Sequence, residues 1–257
     1  MYIFLDNLKY PDLVLITEHW LKDHELVYIP DYTILSIFCR TRSTHGGSMI
    51  LVNRDFLKCN KFQAVDNFNN LLLENVFEFS IVFSEDHNIY IVCIYRSPSS
   101  DVSEFFRGLD ALLSSISISS SIIVSGDFNI NFEDLNSIST IRLNNLLESH
   151  NLQMHVRSPT RVSQHSSTLI DYVCSNFNFY TVDCSVIEAG LSDHSAVVCK
   201  FLKCPRKCKH KFKYGRIFSR SNYEKFYQLC VTTSWNVVLV SQDPIQAFHK
   251  TLLSKYI

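Results

Sequence analysis

Acidic, amide and imidazole side chains follow apolar runs at four places along the 257-residue chain. The four segments are Thr17-Glu18-His19-Trp20, Ser125-Gly126-Asp127-Phe128-Asn129, Ile170-Asp171-Tyr172 and Ser192-Asp193-His194. Each apolar run is typical of a buried β-strand, so the polar side chains should project from the strand ends. If those ends share one rim of the fold, their carboxylate, amide and imidazole groups could bind a divalent metal and a phosphate. The pattern favours a metal-dependent phosphodiesterase.

Two of these segments suggest metal and water chemistry. Glu18 can bind a hard cation such as Mg²⁺ through one or two carboxylate oxygens, although a surface glutamate is an equally good interpretation. Asp127 can orient or deprotonate a water, and the amide of Asn129 can hold a phosphate oxygen on the same face. A turn rich in Asp and Asn is the structural alternative for this second segment.

An Asp–His pair is the other constellation. Asp171 lies in an apolar run and needs a partner if it is buried. His194 would suit, because a carboxylate fixes the tautomer of an imidazole and stabilises its charged form. A structural hydrogen bond would use the same two residues, so both interpretations stay open. Asp193 would face another direction and could serve the metal or the water.

Three further residues are candidates for phosphate or substrate binding. Tyr95 and Arg96 end another strand-like run and could bind phosphate through a hydroxyl and a guanidinium. Ser192, directly before Asp193, is a candidate substrate contact. Five other histidines lack such neighbours, and we interpret them as surface or loop residues: His19, His45, His150, His155 and His165.

Strands and two full helices must position these groups in one continuous domain. Apolar runs predict strands at 12–17, 33–38, 48–53, 71–83, 89–95, 121–125, 168–174, 181–187 and 196–202. An apolar stripe at helical spacing from Val102 to Leu113, with Asp101 as N-cap, predicts one helix, and residues 138–147 predict another. The mixed order favours two β-sheets packed face to face with helices outside. No Gly-rich turn follows any strand, which argues against a dinucleotide-binding fold.

Composition excludes several classes of protein. With 46% hydrophobic and 19% charged residues, the chain is globular rather than disordered. No apolar run approaches the roughly 18 residues that a membrane span needs, and the first residues lack the features of a secretory signal. The nine cysteines are an odd number and several lie in apolar runs, so buried free thiols in a reducing compartment are expected. We therefore expect an intracellular protein with no membrane partner.

Charge is unevenly distributed along the chain. Residues 1–199 contain 12 Lys/Arg and 23 Asp/Glu, whereas residues 200–220 contain 9 Lys/Arg and no acid. A basic stretch of this kind is often only a solvated surface, but it also suits contact with a phosphate backbone. Both interpretations stay open.

Taken together, the motifs resemble the endonuclease/exonuclease/phosphatase superfamily, and most of all the endonuclease domain of LINE-type (non-LTR) retrotransposons. The resemblance covers residues 1–202 and rests on six segments: Leu15–Leu21, Ile94–Pro98, Ser125–Asn129, Ser158–Arg161, Ser167–Val173 and Leu191–His194. Each segment is short, but their order and spacing match the family.

This resemblance implies an α/β (α+β) fold, a four-layer αββα sandwich of two mixed β-sheets like that of deoxyribonuclease I. It implies nicking of one DNA strand with Mg²⁺, or Mn²⁺ as an alternative, in the nucleus. The implied roles are a metal ligand (Glu18), a second group near metal or water (Asp193), phosphate contacts (Tyr95, Asn129), a group that activates water (Asp127), an Asp–His pair (Asp171, His194) and a DNA-backbone contact (Thr160). Residues 203–257 resemble the connector to a reverse transcriptase, the partner domain in a full-length element.

One departure from the family leaves alternatives open. The family begins with an Asn-bearing strand, followed by the helix whose last turns residues 1–8 resemble. That strand is absent from this sequence, so we expect an N-terminally truncated fold. A catalytically inactive remnant that acts at most as a nucleic-acid-binding fragment is therefore the main alternative. An inositol phosphate or phospholipid substrate is a third possibility, against which the segments 17–21 and 158–161 argue.

Overall fold

The computed structural model describes residues 1–23, 25, 27–163, 166–177, 180–203 and 220–253. Most of the basic stretch at 200–220 lies outside the described residues. The chain divides into two units, Met1–Arg216 and Ile217–Ile257.

The helices and strands of the first unit interleave along the chain. In order they are α1 (Tyr2–Asn7), β1 (Leu13–Thr17), β2 (Tyr32–Phe38), β3 (Ser48–Asn53), α2 (Arg54–Cys59), β4 (Phe62–Ala64), β5 (Glu78–Ser84), β6 (Ile89–Tyr95), α3 (Val102–Ser115), β7 (Ser121–Asp127), α4 (Ile138–Ser149), β8 (Gln153–Met154), β9 (Arg161–Val162), β10 (Ser167–Thr168), β11 (Asp171–Ser175), β12 (Tyr180–Ile187) and β13 (Ala196–Lys203). The second unit contains α5 (Arg220–Thr232), α6 (Asn236–Leu239) and α7 (Pro244–Leu253).

Two larger sheets organise the first unit. The smaller one is antiparallel with the strand order β1-β3-β2. The larger one has the order β4-β5-β6-β7-β11-β8, and its pairs are antiparallel except for the parallel pair β6–β7. Strands β12 and β13 form a long hairpin, and β9 pairs with β10. Among the described residues, β1 is paired with β3 alone.

Apolar side chains on the inner faces of the two sheets pack against each other and hold the sheets together. Ile50 of β3 packs with Val82, Ile91 and Cys93 of the larger sheet in one buried cluster, which Leu13 and Leu15 of β1 also contact. This cluster fills the space between the sheets, because successive side chains of a strand point to opposite faces.

Helices cover the outer faces of both sheets. Leu5 of α1 packs with Met49 and Leu51 on the smaller sheet. On the larger sheet, the buried stripes of α3 and α4 pack in the main cluster with Ile94 and Val124. The resulting order is helix, sheet, sheet, helix, so the predicted αββα sandwich is confirmed.

One predicted strand is wrong in its first half. The apolar run 71–83 was expected to form one bent or bulged strand, but the strand β5 begins only at Glu78. Leu73 and Phe77 form an isolated bridge across a tight turn, and Asn75 in that turn has φ 71°. This turn reverses the chain, which a purely apolar pattern does not reveal.

The cysteines differ in part from the expectation of free thiols. Cys184 and Cys199 lie directly opposite each other in the β12–β13 hairpin and form a disulfide, with their Cα atoms 4.3 Å apart. The expectation is therefore wrong for this pair, because strand register brings the two sulfurs together and spacing alone does not predict register. Five described cysteines are free: Cys39, Cys59, Cys93, Cys174 and Cys230.

The second unit is a small helical segment. Trp235 stacks on Phe248 of α7 at a centroid distance of 5.3 Å, and its indole N–H donates to the carbonyl of Cys230. In the described ranges of both units, no helix is long and apolar enough to cross a bilayer.

Candidate active site

Strand register places three polar side chains in one row at the edge of the larger sheet. Tyr95 ends β6 and lies opposite Asp127, which ends the parallel neighbour β7. Asp171 begins the antiparallel neighbour β11 and also lies opposite Asp127. Directly opposed residues of adjacent strands project to the same face, so the three side chains converge.

His194 joins this row from the segment before β13. Its Nδ1 lies 2.9 Å from Oδ2 of Asp171. One ligand atom each of Asp127, Asp171 and His194 lies within 4.8 Å of the others. The structure thus brings together three of the predicted site residues from three separate parts of the chain.

The charges of this cluster influence one another. Burial of Asp127, followed by the negative charge of Asp171, raises the pKa of the Asp127 carboxyl to about 7. The pKa of His194 is also raised, first of all by its hydrogen bond to Asp171. The cluster therefore combines a carboxyl that is partly protonated near neutral pH with an imidazole whose charged form is stabilised.

Asn129 holds the carboxylate of Asp127 through two hydrogen bonds. Its backbone N–H donates to Oδ1 of Asp127 and its Nδ2 donates to Oδ2, both at 2.9 Å. Nδ2 also donates to the carbonyl of Arg96 at 2.8 Å. Because both amide protons are engaged, the geometry supports orientation of Asp127 by Asn129. Direct contact of Asn129 with phosphate stays a prediction.

Gly126, directly before Asp127 in β7, allows a close approach of the strands β6 and β7. Its φ is +140°, and a Cβ atom there would lie 1.9 Å from the backbone oxygen of Ile94. No side chain fits between the parallel strands at this position, so glycine is required for the close approach that aligns Asp127 with Tyr95.

Arg96 and Thr160 are buried, and their side chains form hydrogen bonds with backbone groups. The Arg96 guanidinium donates to the carbonyls of Phe128 and Asn129 at 2.6 and 2.8 Å, which fixes the turn after Asp127. The Thr160 hydroxyl accepts from the backbone N–H of Asp171 at 3.1 Å. Their placement supports a positioning role. Contact with phosphate or DNA by either side chain stays a prediction.

Glu18 approaches the row from the smaller sheet. It follows β1 with φ 54°, and its backbone N–H donates to the carbonyl of Gly47 at 2.9 Å. The hydroxyl of Tyr95 donates to the Glu18 carboxylate. Burial and this carboxylate both raise the pKa of Tyr95. Glu18 also contributes to the raised pKa of Asp127, so its charge acts on the cluster.

Asp193 and Ser192 lie beside the cluster without joining it. The Asp193 carboxylate forms an ion pair with Arg161, with N–O distances of 2.7 and 2.6 Å. This hydrogen-bonded pair lowers the pKa of Asp193. Ser192 Oγ accepts from the backbone N–H of His194 at 3.0 Å and so shapes the turn that presents the imidazole. A metal role for Asp193 and a substrate role for Ser192 stay predictions.

A buried ion pair behind Glu18 escaped the sequence analysis. Glu78 is fully buried and accepts from Arg40 Nε at 2.5 Å and from the backbone N–H of Gly47 at 2.8 Å. The Arg40 guanidinium lies 5.5 Å from the ring centroid of Tyr95. The pair thus supports both the loop that binds Glu18 and the ring that contacts it. An acid within an apolar run, the signal used for Asp171, could have identified Glu78.

The donor set fits a hard divalent cation. Mg²⁺ and Mn²⁺ prefer carboxylate oxygens, and Asp127 and Asp171 supply them at adjacent positions. The two negative charges raise the cost of ionising Asp127, which a cation would offset. Asp127 and Asp171 are therefore the residues best placed to hold a metal, with Glu18 close by.

Known proteins share this arrangement of layers and part of the sequence. The family described as endonuclease–reverse transcriptase matches residues 89–198, the segment that contains Tyr95, Asp127, Asp171 and His194. No curated protein matches the chain in sequence.

Three solved structures illustrate the similarity of fold. The endonuclease domain of TRAS1, a telomere-specific non-LTR retrotransposon, has a TM-score of 0.61 at 15% identity, covering 79% of this chain and 90% of that domain. An endonuclease/exonuclease/phosphatase family protein from Leptotrichia buccalis has a TM-score of 0.53 at 14% identity, covering 78% and 91%. Humanized TDP2 of D. rerio has a TM-score of 0.51 at 14% identity, covering 78% and 88%. The segment 89–198 is therefore similar to the endonuclease–reverse transcriptase family, and the chain shares the fold of the retrotransposon endonuclease domain and of the endonuclease/exonuclease/phosphatase family protein.

Proposed function

We propose that this chain is a metal-dependent DNA endonuclease that hydrolyses phosphodiester bonds and nicks one strand. The convergence of Asp127, Asp171 and His194 at one sheet edge is the observation that supports this most strongly. The match to the endonuclease–reverse transcriptase family favours DNA over other phosphodiesters. In a full-length element the domain would act beside a reverse transcriptase, in the nucleus.

The residues of the cluster divide the chemistry between them in this proposal. Asp127, held by Asn129, orients the attacking water and accepts its proton. Asp171 accepts the Nδ1–H of His194, which leaves Nε2–H of the charged imidazole to donate to a phosphate oxygen as negative charge develops. Tyr95 orients the Glu18 carboxylate. A bound Mg²⁺ or Mn²⁺ would supply positive charge next to the phosphate.

Plasmid nicking tests this proposal. The purified chain should convert supercoiled plasmid to the open-circular form with Mg²⁺, and EDTA should stop the reaction. Asp127→Ala and His194→Ala should each reduce the rate by at least about 100-fold. Asp55→Ala removes a carboxylate that is exposed and paired only with Lys58, so it serves as the matched control and should nick normally.

Folded protein that cleaves no DNA with either Mg²⁺ or Mn²⁺ would contradict the proposal. If such protein still bound DNA in a salt-sensitive way, and Glu18→Ala left that binding intact, the inactive nucleic-acid-binding alternative would be favoured.

A further inference from the structure

The turn after β1 exposes an aromatic side chain beside the proposed active site. Trp20 is 56% exposed and lies two residues after Glu18. It has φ 61° and Glu18 has φ 54°, a region that bulky side chains seldom adopt. Their backbone N–H groups donate to the carbonyls of Gly46 and Gly47, respectively, which hold this conformation. Backbone strain of this kind is concentrated at functional sites.

His19 anchors the turn from the inside. One ring nitrogen, Nδ1, accepts from the backbone N–H of Leu21 at 3.0 Å, so the other carries the proton and donates to the carbonyl of Phe38 at 2.9 Å. A Cβ atom on Gly47 would lie 2.4 Å from His19 Nε2, so the imidazole is closely packed. With His19 fixed in this way, Glu18 and Trp20 on either side of it are both exposed.

A second aromatic residue meets Trp20 from the loop 41–45. The His45 ring contacts the Trp20 ring edge to face, with centroids 4.6 Å apart and an angle of 83°. The loop is fixed by Glu74, whose carboxylate accepts from the backbone N–H groups of residues 41, 42 and 43 at 3.2, 3.0 and 2.8 Å. Residues 39–47 contain Arg40, Arg42 and His45 but no acid, in a region of the chain that is otherwise acidic.

We infer that Trp20 and His45 form a stacking contact for a nucleobase of the DNA strand that is held at the Glu18–Asp127 site. This inference rests on the proposed function. An exposed aromatic pair next to a site for phosphate fits a nucleotide whose base has left the duplex stack, since such a base exposes a π-face and base–aromatic stacking tolerates any sequence. The exposed guanidinium of Arg42, in the same loop, can contact the phosphate backbone. The contact would hold a nucleotide that flanks the scissile bond.

Nicking kinetics test the contact. Trp20→Ala should raise the KM for a DNA duplex by roughly 10-fold and leave kcat within about twofold, because stacking stabilises bound DNA without taking part in the chemistry. Trp20→Phe should restore most of the affinity, and His45→Ala should raise KM by a smaller factor. Tyr28→Ala is the matched control, since Tyr28 is 72% exposed and packs over Arg54 at the opposite end of β3.

Tryptophan fluorescence provides a readout that does not depend on cleavage. The chain has two tryptophans, so Trp235→Phe leaves Trp20 as the single reporter. With EDTA present, titration with a short DNA duplex should quench this emission in parallel with binding measured by the anisotropy of labelled DNA.

The two readouts separate the inference from the proposed function. Unchanged Trp20 emission on bound DNA, or an unchanged KM for Trp20→Ala in an enzyme that nicks, would overturn the stacking contact and leave the endonuclease intact. Quenching by DNA in a protein that never nicks would support the contact and contradict the endonuclease.

Discussion

Two neighbouring carboxylates at the site, Asp127 and Asp171, repel each other when both are ionised. Asp127 is buried, and its pKa of about 7 reflects that burial and then the charge of Asp171. Asp171 in turn has a partner in His194, whose pKa is raised by their hydrogen bond. The same cluster therefore contains a carboxyl whose pKa is raised to about 7 and an imidazole whose charged form is stabilised by its carboxylate partner.

Metal affinity should depend on pH through Asp127. In the metal-free protein this carboxyl takes up a proton as the pH falls through about 7. Because a cation binds the ionised form, the apparent affinity for Mn²⁺ at pH 6 should be roughly 10-fold weaker than at pH 8. Calorimetric titration at both pH values measures this, and Asp127→Asn should lower the affinity and flatten the dependence. Equal affinities at the two pH values in the wild-type protein would contradict it.

Removing the charge of Asp171 should lower the pKa of His194. The imidazolium loses the carboxylate that stabilises it, so Asp171→Asn should move the titration of His194 to lower pH. Two-dimensional NMR of the imidazole resonances follows this titration directly. His150, which pairs with Asp110 away from the site, provides the internal reference resonance. An unaltered His194 would show that the pair is not electrostatically important.

At the scale of elements, the site depends on supports that pack behind it. Arg40 and Glu78 connect the loop around Gly47, the start of β5 and the ring of Tyr95. These hydrogen bonds join residues 31 and 38 positions apart in the chain. The ion pair thus holds the smaller sheet, which bears Glu18, next to the larger sheet, which bears Asp127.

Breaking this ion pair should be costly. Arg40→Met leaves the Glu78 carboxylate buried without its charged partner, and we expect a loss of about 3–5 kcal/mol in unfolding free energy. Arg40→Met combined with Glu78→Met should be less destabilised than the single variant, because no uncompensated charge remains. Urea denaturation measures both. Arg107→Ala, which breaks the exposed pair with Glu104, should cost no more than about 1 kcal/mol.

The sequence predicted local elements better than the contacts between them. Strands β3 and β6 have the predicted bounds, since each is a short apolar run between clear turn residues. The positions of Asp127, Asp171 and His194 beside strand-like apolar runs also pointed to one rim. Residue type could not indicate that Arg96 and Thr160 are buried. Pairings such as Cys184 with Cys199 depend on register, which is set by the folded chain.

At the scale of the whole molecule, every described site residue lies in the first of two units. The hairpin β12–β13 belongs to that unit, since Val186 and Val197 pack against the main apolar cluster. The three helices of the second unit have their own aromatic contact, Trp235 on Phe248. The first unit should therefore fold without the second.

Truncation tests this independence. A chain that ends at Arg216 should keep the thermal midpoint of the first unit within about 2 °C and should still nick plasmid. A chain that ends at Ser175 lacks β12 and β13 and so exposes part of the main cluster. It should lose cooperative unfolding in calorimetry. A large drop in the midpoint for the longer truncation would show that the second unit stabilises the first.

The row formed by Tyr95, Asp127 and Asp171 also limits where insertions and deletions can be tolerated in the gene. Because side chains alternate along a strand, losing one codon within β7 would turn Asp127 to the opposite face and separate it from both neighbours. The loop before β7 can gain or lose codons without moving the row, whereas Leu169 and Ile170, which connect β10 to β11, are buried and accept hydrogen bonds from the segment after β7. Descendants of this chain should therefore differ in length between the strands and keep the spacing within them.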